Sequence, residues 1–324
     1  MASGKILRQL LKAGTAGDKE GFRLASESII EEERLKQHHL LANDLEKILY
    51  TSSVDSEGKL SRVFPSVPTD KERGLPLFDI RHSQRTLEEL ILPPENLSSV
   101  EELLGEHRRQ DILRSYGMRP AGKVLFFGPP GCGKTLTAEV IACELDLPLA
   151  IVRLDALVSS FLGETAANLR KVFDYISQYP MVALFDEFDA IGKERSDSSE
   201  HGELRRVVNA VLQMMDAYQG NSLIIAATNH EQILDSAIWR RFDDVFEFSK
   251  PSREMIEAIL RSKLRGVRRQ FETEQVEILD LFDGLSGADI ERVVRRAIKR
   301  NILKGQEFLN LKDLSSARSK EIRR

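Results

Sequence analysis

"KVLFFGPPGCGKT", Lys123 to Thr135, decides how the rest of the chain is read. A short β-rich apolar run passes without a break into a glycine-rich turn that closes on Lys-Thr. The pattern is GxxxxGK[ST], with a strand expected before it and a helix after it. Gly128, Gly131 and Gly133 let the backbone wrap an anion with its N–H groups, and Pro129, Pro130 and Cys132 fill the positions between them. The helix that comes next, from Lys134 through Leu136, adds the positive end of its dipole. Such a loop holds phosphates: Lys134 reaches the β- and γ-phosphates and Thr135 offers a hydroxyl to Mg²⁺. A chance match to the four fixed positions in a chain of 324 residues is on the order of one in a hundred. The competing reading is a plain glycine turn between strand and helix.

Outward from this stretch, β-rich runs alternate with helical segments. They are "LAIVRL" (Leu149 to Leu154), "MVALF" (Met181 to Phe185), "SLIIAAT" (Ser222 to Thr228) and "DVFEF" (Asp244 to Phe248). The first three of these are nearly continuous in apolar residues, as strands buried on both faces are. The expectation is an α/β fold, a parallel five-stranded sheet sandwiched by helices.

"MVALFDEFD" ends a buried strand in Asp186 and Glu187, at the carboxyl edge of the sheet where ligands of open α/β folds bind. Asp186 suits Mg²⁺ through its water shell, and Glu187 suits the polarisation of an attacking water. Asn229, after the next buried strand, is a candidate γ-phosphate contact, although an Asn in that place is more often a turn former. Arg240 and Arg241 in "WRRFDD" are either a solvated face or charge stabilisers for a transferred phosphoryl group. Local pattern leaves open whether they act in cis or in trans.

The chain divides by pattern into an N-terminal helical module (1–50), a Ser-, Pro- and charge-rich linker (51–76), the α/β nucleotide-binding part (77–249) and a C-terminal helical part (250–324). Within the first, three short amphipathic helices are expected. They carry Ile6 to Leu11, then Phe22, Ala25, Ile29 and Ile30, then Leu41 to Leu49. Val63, Phe64 and Val67 could form a short strand in the linker.

Composition is 41% hydrophobic and 30% charged with a net charge of −4, which suits a globular protein and gives no general reason to expect nucleic-acid or anionic-membrane binding. Two cysteines without zinc-ligand spacing, no signal-like start and no apolar run of membrane length suggest a cytoplasmic, reducing setting.

Together these residues resemble the AAA+ ATPases, and more closely the AAA subfamily of protein-remodelling enzymes. "GPPGCGKT" looks like its Walker A, "ALFDE" like its Walker B, Asn229 falls at its sensor 1, and "WRRFDD" is similar to its paired arginine fingers. "LSGADIERVVRRA" resembles the lid motif whose Gly287 and Ala288 pack near adenine. The resemblance covers about 77–305. It implies ATP/ADP with Mg²⁺ as cofactors, hydrolysis to ADP and phosphate, and a homo-oligomeric ring, a hexamer, in which Arg240 and Arg241 serve a neighbour's nucleotide. It also implies a protein substrate drawn through a pore.

"SSFLGETAANLRKVF", Ser159 to Phe173, is the stretch that the resemblance assigns to that pore. A helix is expected from near Glu164, with Leu169, Val172, Phe173 and Ile176 on its buried face. Phe161, Leu162 and Gly163 precede it and match the family's aromatic–aliphatic–glycine pore loop. The bland alternative has Phe161 covering the following helix.

Three departures stand out: Cys132 replaces the usual threonine, the segment before Lys123 lacks the "DIGG" that commonly contacts adenine, and only one ATPase module is present. The N-terminal module looks somewhat like the leader of short standalone bacterial relatives, some of them encoded beside subtilisin-like proteases, which suggests a protease partner. The competing function is a P-loop motor on DNA or RNA, supported best by the basic run Arg292, Arg295, Arg296, Lys299 and Arg300. A GTPase-like switch lacks its guanine motif. An inactive scaffold sits poorly with intact Lys134, Thr135, Asp186 and Glu187.

Overall fold

The computed structural model describes residues 12, 19–35, 53–54, 60–61, 65–70, 74–153, 157, 162–188, 210–229 and 236–321. The chain forms two units, Met1–Ser66 and Val67–Arg324. In the first, helix α1 (Lys19–Leu35) carries the expected apolar positions, with Ala25 and Ile30 buried and Phe22 exposed. Strands β1 (Ser53–Val54) and β2 (Leu60–Ser61) pair antiparallel. The other two expected N-terminal helices, and Val63–Phe64, lie outside the described residues.

The second unit begins inside the expected linker. Asp70 N–H donates to Leu75 O, Leu77 N–H donates to Pro68 O, and Lys171 Nζ donates to Thr69 O, so residues from Val67 onward are tied into the unit. Its sheet is built from β3 (Phe78–Arg81), β4 (Lys123–Phe127), β5 (Leu149–Val152), β6 (Val182–Phe185), β7 (Leu223–Thr228) and β8 (Asp244–Glu247). The strands lie in the order β3-β5-β6-β7-β4-β8. The five strands expected from sequence are all present and mutually parallel.

The expectation of a purely parallel five-stranded sheet is corrected by β3, which adds a sixth strand antiparallel to β5 at the edge. The reason is burial. β6 and β7 are buried along their whole length and read as apolar runs, whereas β3, "FDIR", buries Phe78 and exposes Arg81. One-sided, four-residue edge strands carry little pattern.

Among the described residues two apolar cores stand out. The first joins the sheet (Val124, Phe126, Leu184, Ile225) to α2 (Pro94–Arg108) through Leu103 and Leu104, and to α4 (Lys134–Glu144) through Ala138 and Ile141. A short helix, α3 (Gln110–Ser115), leads from α2 toward β4. The helix after β5, α5 (Leu162–Gln178), buries Leu169, Val172, Phe173 and Ile176 as its spacing predicts. It begins at Leu162 rather than near Glu164, so Leu162 and Gly163 belong to its first turn, a boundary shift of ordinary size. The short α6 (Ser236–Trp239) precedes β8, with the Trp239 ring edge-on to Phe127.

The second core is wholly helical: α7 (Arg253–Lys263), α8 (Val276–Phe282), α9 (Gly287–Leu303) and α10 (Leu311–Glu321) close around Ile256, Leu260, Phe282, Val293 and Leu314. The basic run on α9 is spent within this helical part. Arg292 pairs with Asp289 and Glu321, Arg295 with Glu291, and Arg296 with Glu321, while Arg300 donates to Ser316. No described helix is long and apolar enough to cross a membrane.

Candidate nucleotide site

β4 delivers the chain to Gly128 at the carboxyl edge of the sheet, and α4 begins at Lys134. The turn between them works only with glycine at two close approaches. Gly128 has φ +133°, and a Cβ there would lie 2.0 Å from the Phe248 carbonyl oxygen. Gly131 has φ +76°, and its Cβ would lie 2.7 Å from Ser286 Oγ and 3.0 Å from Ala288 Cβ. Both backbones sit in the region that side chains disfavour.

Lys134 is buried at 6% exposure, unusual for lysine, and its ammonium donates to Gly128 O at 2.6 Å and Pro129 O at 2.9 Å. It is thus held inside the loop. Thr135 Oγ1 donates to Asp186 Oδ2 at 2.7 Å, which joins the start of α4 to the end of β6. Asp186 Oδ1 accepts from the Glu187 N–H at 2.9 Å. Glu187 is exposed at the same edge with φ +51°, a left-handed conformation that is rare for glutamate and that marks functional turns. Pro129 and Leu136 are half-buried and Pro130 is exposed. Cys132 packs against the α/β core, and burial pushes its thiol up against the opposing charge of Lys134 and Lys250.

Register places Asn229 in the same row. Phe127 pairs with Thr228, so Asn229 is level with Gly128, and Asn229 is half-buried. Phe185 pairs with Ala226, so Asp186 and Glu187 stand one strand further along the same edge. Gly287 and Ala288 arrive from the helical part: Ala288 N–H donates to Gly131 O at 3.0 Å. They meet the phosphate loop itself. Ser286, not singled out from sequence, fixes this approach. Its hydroxyl caps α9 by accepting from Asp289 N–H, and it stands over Gly131.

The arginines lie elsewhere. Asp243 Oδ2 accepts from Gly122 N–H and Lys123 N–H, at the amino end of β4. Arg241, two residues earlier, pairs with Asp216, which lines the same cleft as Asp243 at that end of the strand, so it lies toward the edge opposite to the phosphate loop. The structure therefore brings together Lys134, Thr135, Asp186, Glu187, Asn229, Gly287 and Ala288, and places Arg241 away from them within one chain; Arg240 is exposed. Arg241 forms an ion pair with Asp216 at 2.9 Å. Asp216 was not visible as a partner in sequence, where it is one acid in a helical pattern. Phe161 lies outside the described residues.

The comparisons with known proteins agree with this geometry. Residues 124–250 match the family described as ATPase family associated with various cellular activities (AAA). The AAA family ATPase y4kL of Sinorhizobium fredii is 40% identical over 324 residues, covering 100% of this chain and 97% of that one. The chain belongs to the AAA ATPase family. It binds ATP and hydrolyses it, as the homologous AAA ATPases do.

A second relative, proteasome-activating nucleotidase 1 of Haloferax volcanii, is 34% identical over 218 residues. That match takes in 63% of this chain and 54% of the nucleotidase, so the AAA ATPase spans about half of that relative's length. The fold is that of the crystal structure of the FIGL-1 AAA domain, with TM-score 0.60 and 23% identity over 75% of this chain and 85% of that one.

Proposed function

We propose that this AAA ATPase is a Mg²⁺-dependent, ring-forming motor that remodels or unfolds protein substrates. The observation that carries the catalytic half is the Thr135–Asp186 hydrogen bond beside Glu187. Two oxygen ligands side by side at the mouth of a phosphate loop suit a hard cation that takes few protein ligands. When bound, Mg²⁺ neutralises phosphate charge. Thr135 and Asp186 would hold it, Lys134 would bridge to the β- and γ-phosphates, and Asn229 would contact the γ-phosphate or the water. The Glu187 carboxylate would orient that water and draw its proton.

Arg241, toward the far edge of the sheet, and the exposed Arg240 beside it in the chain fit a site completed between subunits, with a hexamer as the assembly. Residues 77–249 and 250–324 act on this reading as nucleotide-binding part and lid, with Gly287 and Ala288 of the lid on the loop. Residues 1–50 are proposed as the module that meets a partner, for which a protease is the candidate, and the cytoplasm as the setting.

Phe161, Leu162 and Gly163 are proposed to grip an extended chain in the ring's pore. Phe161→Ala should keep ATP hydrolysis within about twofold while unfolding of a tagged reporter protein is lost, since side-chain grip and chemistry are separate functions. Loss of ATP binding in that variant instead would place Phe161 in the core. The DNA or RNA motor reading loses its best support because four of its five basic residues are engaged by groups on α9 and α10.

A further inference from the structure

The added edge strand β3 belongs to an arrangement that the nucleotide site does not use. Residues 67–78 fold back on themselves as a hairpin. Asp70 N–H donates to Leu75 O at 2.9 Å, Thr69 and Pro76 form an antiparallel bridge, and Leu77 N–H donates to Pro68 O at 3.0 Å. The second arm runs on into β3, which is held to β5 over four residue pairs. Leu77 and Phe78 are wholly buried.

The hairpin grips α5. A helix lying on a sheet needs one buried stripe, and α5 has it in Leu169, Phe173 and Ile176. It also has a second, in which Thr165, Asn168, Val172 and Tyr175 repeat at helical spacing and are all buried. Tyr175 stands edge-on to Phe78, with ring centroids 5.1 Å apart. Lys171, beside this stripe, donates from Nζ to Thr69 O at 2.8 Å and to Asn168 Oδ1 at 3.3 Å. One arm of the hairpin is thus tied to α5 by a charge-assisted hydrogen bond and the other by an aromatic contact.

The grip lies near the start of the helix. Leu162 and Gly163 are in its first turn. Asn168 follows Gly163 by about 8 Å along the axis, and Lys171 by about 12 Å. The first N–H groups of a helix have no partner within it, so that end opens most readily. A pull on the chain just ahead of α5 falls on this end.

We propose that the hairpin 67–78 is a brace for α5, and that Lys171 is the positioning residue that keeps Leu162 and Gly163 in place when a substrate chain is pulled. This rests on the reading of Phe161, Leu162 and Gly163 as the pore segment. The apolar stripe keeps α5 on the sheet, but apolar contact is non-directional and resists sliding weakly. Hydrogen bonds of fixed length and angle resist it, and these lead through the hairpin into the β3 ladder. Lys171 acts through α5, not on nucleotide or substrate.

The test uses the full chain, with ATP turnover, amide hydrogen exchange and unfolding of a tagged fluorescent reporter protein measured side by side. Lys171→Ala should keep ATP turnover within about twofold, speed exchange at residues 166–171 about tenfold, and lower reporter unfolding about fivefold or more. Lys171→Arg, which keeps a donor for Thr69 O, should restore most of both losses.

Phe161→Ala separates the brace from the reading beneath it. That variant should lose reporter unfolding with exchange in α5 unchanged. Full reporter unfolding by Lys171→Ala while Phe161→Ala is impaired would overturn the inference and leave the pore reading standing. So would unchanged exchange at residues 166–171, or faster exchange spread evenly over the chain, which marks a general loss of stability. Full unfolding by Phe161→Ala, or none by the intact chain, would remove the pore reading, and the inference with it.

Discussion

The two edges of the parallel sheet differ in the groups they gather. At the carboxyl edge, Lys134 sits inside the loop, and Thr135, Asp186 and Glu187 are joined by hydrogen bonds. At the amino edge, Glu106, Asp216, Asp243 and Asp244 share a cleft with Arg114, Arg119 and Lys123. Burial, then Glu106, Asp243 and Glu102, push the Asp244 carboxyl above its ordinary value. Arg241 is the cation that Asp216 holds there. The carboxyl edge gathers the groups proposed for the nucleotide chemistry, and Arg241 lies toward the other edge. On the proposed reading, the amino edge of one copy faces the carboxyl edge of another.

The largest effect that would break this comparison is expected from Arg241→Ala. Its turnover should fall about a thousandfold, the scale of arginine contributions to phosphoryl transfer, with ATP binding retained. Phosphate release from mixtures with Glu187→Gln subunits should show partial recovery, and no recovery at any ratio would place the arginine's action within its own chain. Next, Glu187→Gln should lower turnover about a hundredfold or more while ATP still binds and ring assemblies accumulate, as sizing chromatography with ATP would reveal. Normal turnover would remove Glu187 from the carboxyl-edge machinery.

Gly128→Ala sharpens the comparison at the loop alone. Its Cβ meets the Phe248 carbonyl at 2.0 Å, so the loop must shift. ATP affinity should drop about tenfold or more and the melting temperature should fall, since incompatible φ destabilises by more than about 1 kcal/mol. Calorimetry with and without ATP would measure both.

The smallest effect is expected from Ser286→Ala, about 1 kcal/mol from loss of an N-cap. It has a pH signature. Burial raises the Asp289 carboxyl, but hydrogen bonds from Ser286 and the nearby Arg292 more than offset this and hold it below its ordinary 3.8. A depressed carboxyl stabilises the fold above its unfolded value and loses that contribution as pH falls through the folded value. The stability gap between wild type and Ser286→Ala should therefore be complete above about pH 4 and narrow below it in denaturant titrations.

Much of this was legible in the sequence where burial was two-sided or geometry was local. "KVLFF" gave the limits of β4, and β6 and β7 were visible as apolar runs. The loop glycines were readable because motif and conformation coincide over a few residues. β3 was not, since a one-sided edge strand alternates too briefly to show a period. Asp216, Tyr218 and Ser222 were not, because their partners Arg241, Ile176 and Met181 lie far along the chain. Local pattern could not choose between cis and trans for Arg241; its ion pair with Asp216 places it toward the opposite edge.

The hydrogen bond from Ala288 N–H to Gly131 O makes the phosphate loop common property of the two apolar cores. Gly131 has its place in the loop fixed by β4 and α4, and its carbonyl is claimed by the first turn of α9, a helix of 17 residues. A helix that long is about 25 Å of rigid rod. A tilt of a few degrees at its capped end becomes a displacement of an ångström or more at Leu303, which is 86% exposed. If phosphate bound in the loop tilts α9, reciprocity requires that a load at the far end of α9 change the loop's hold on phosphate in return.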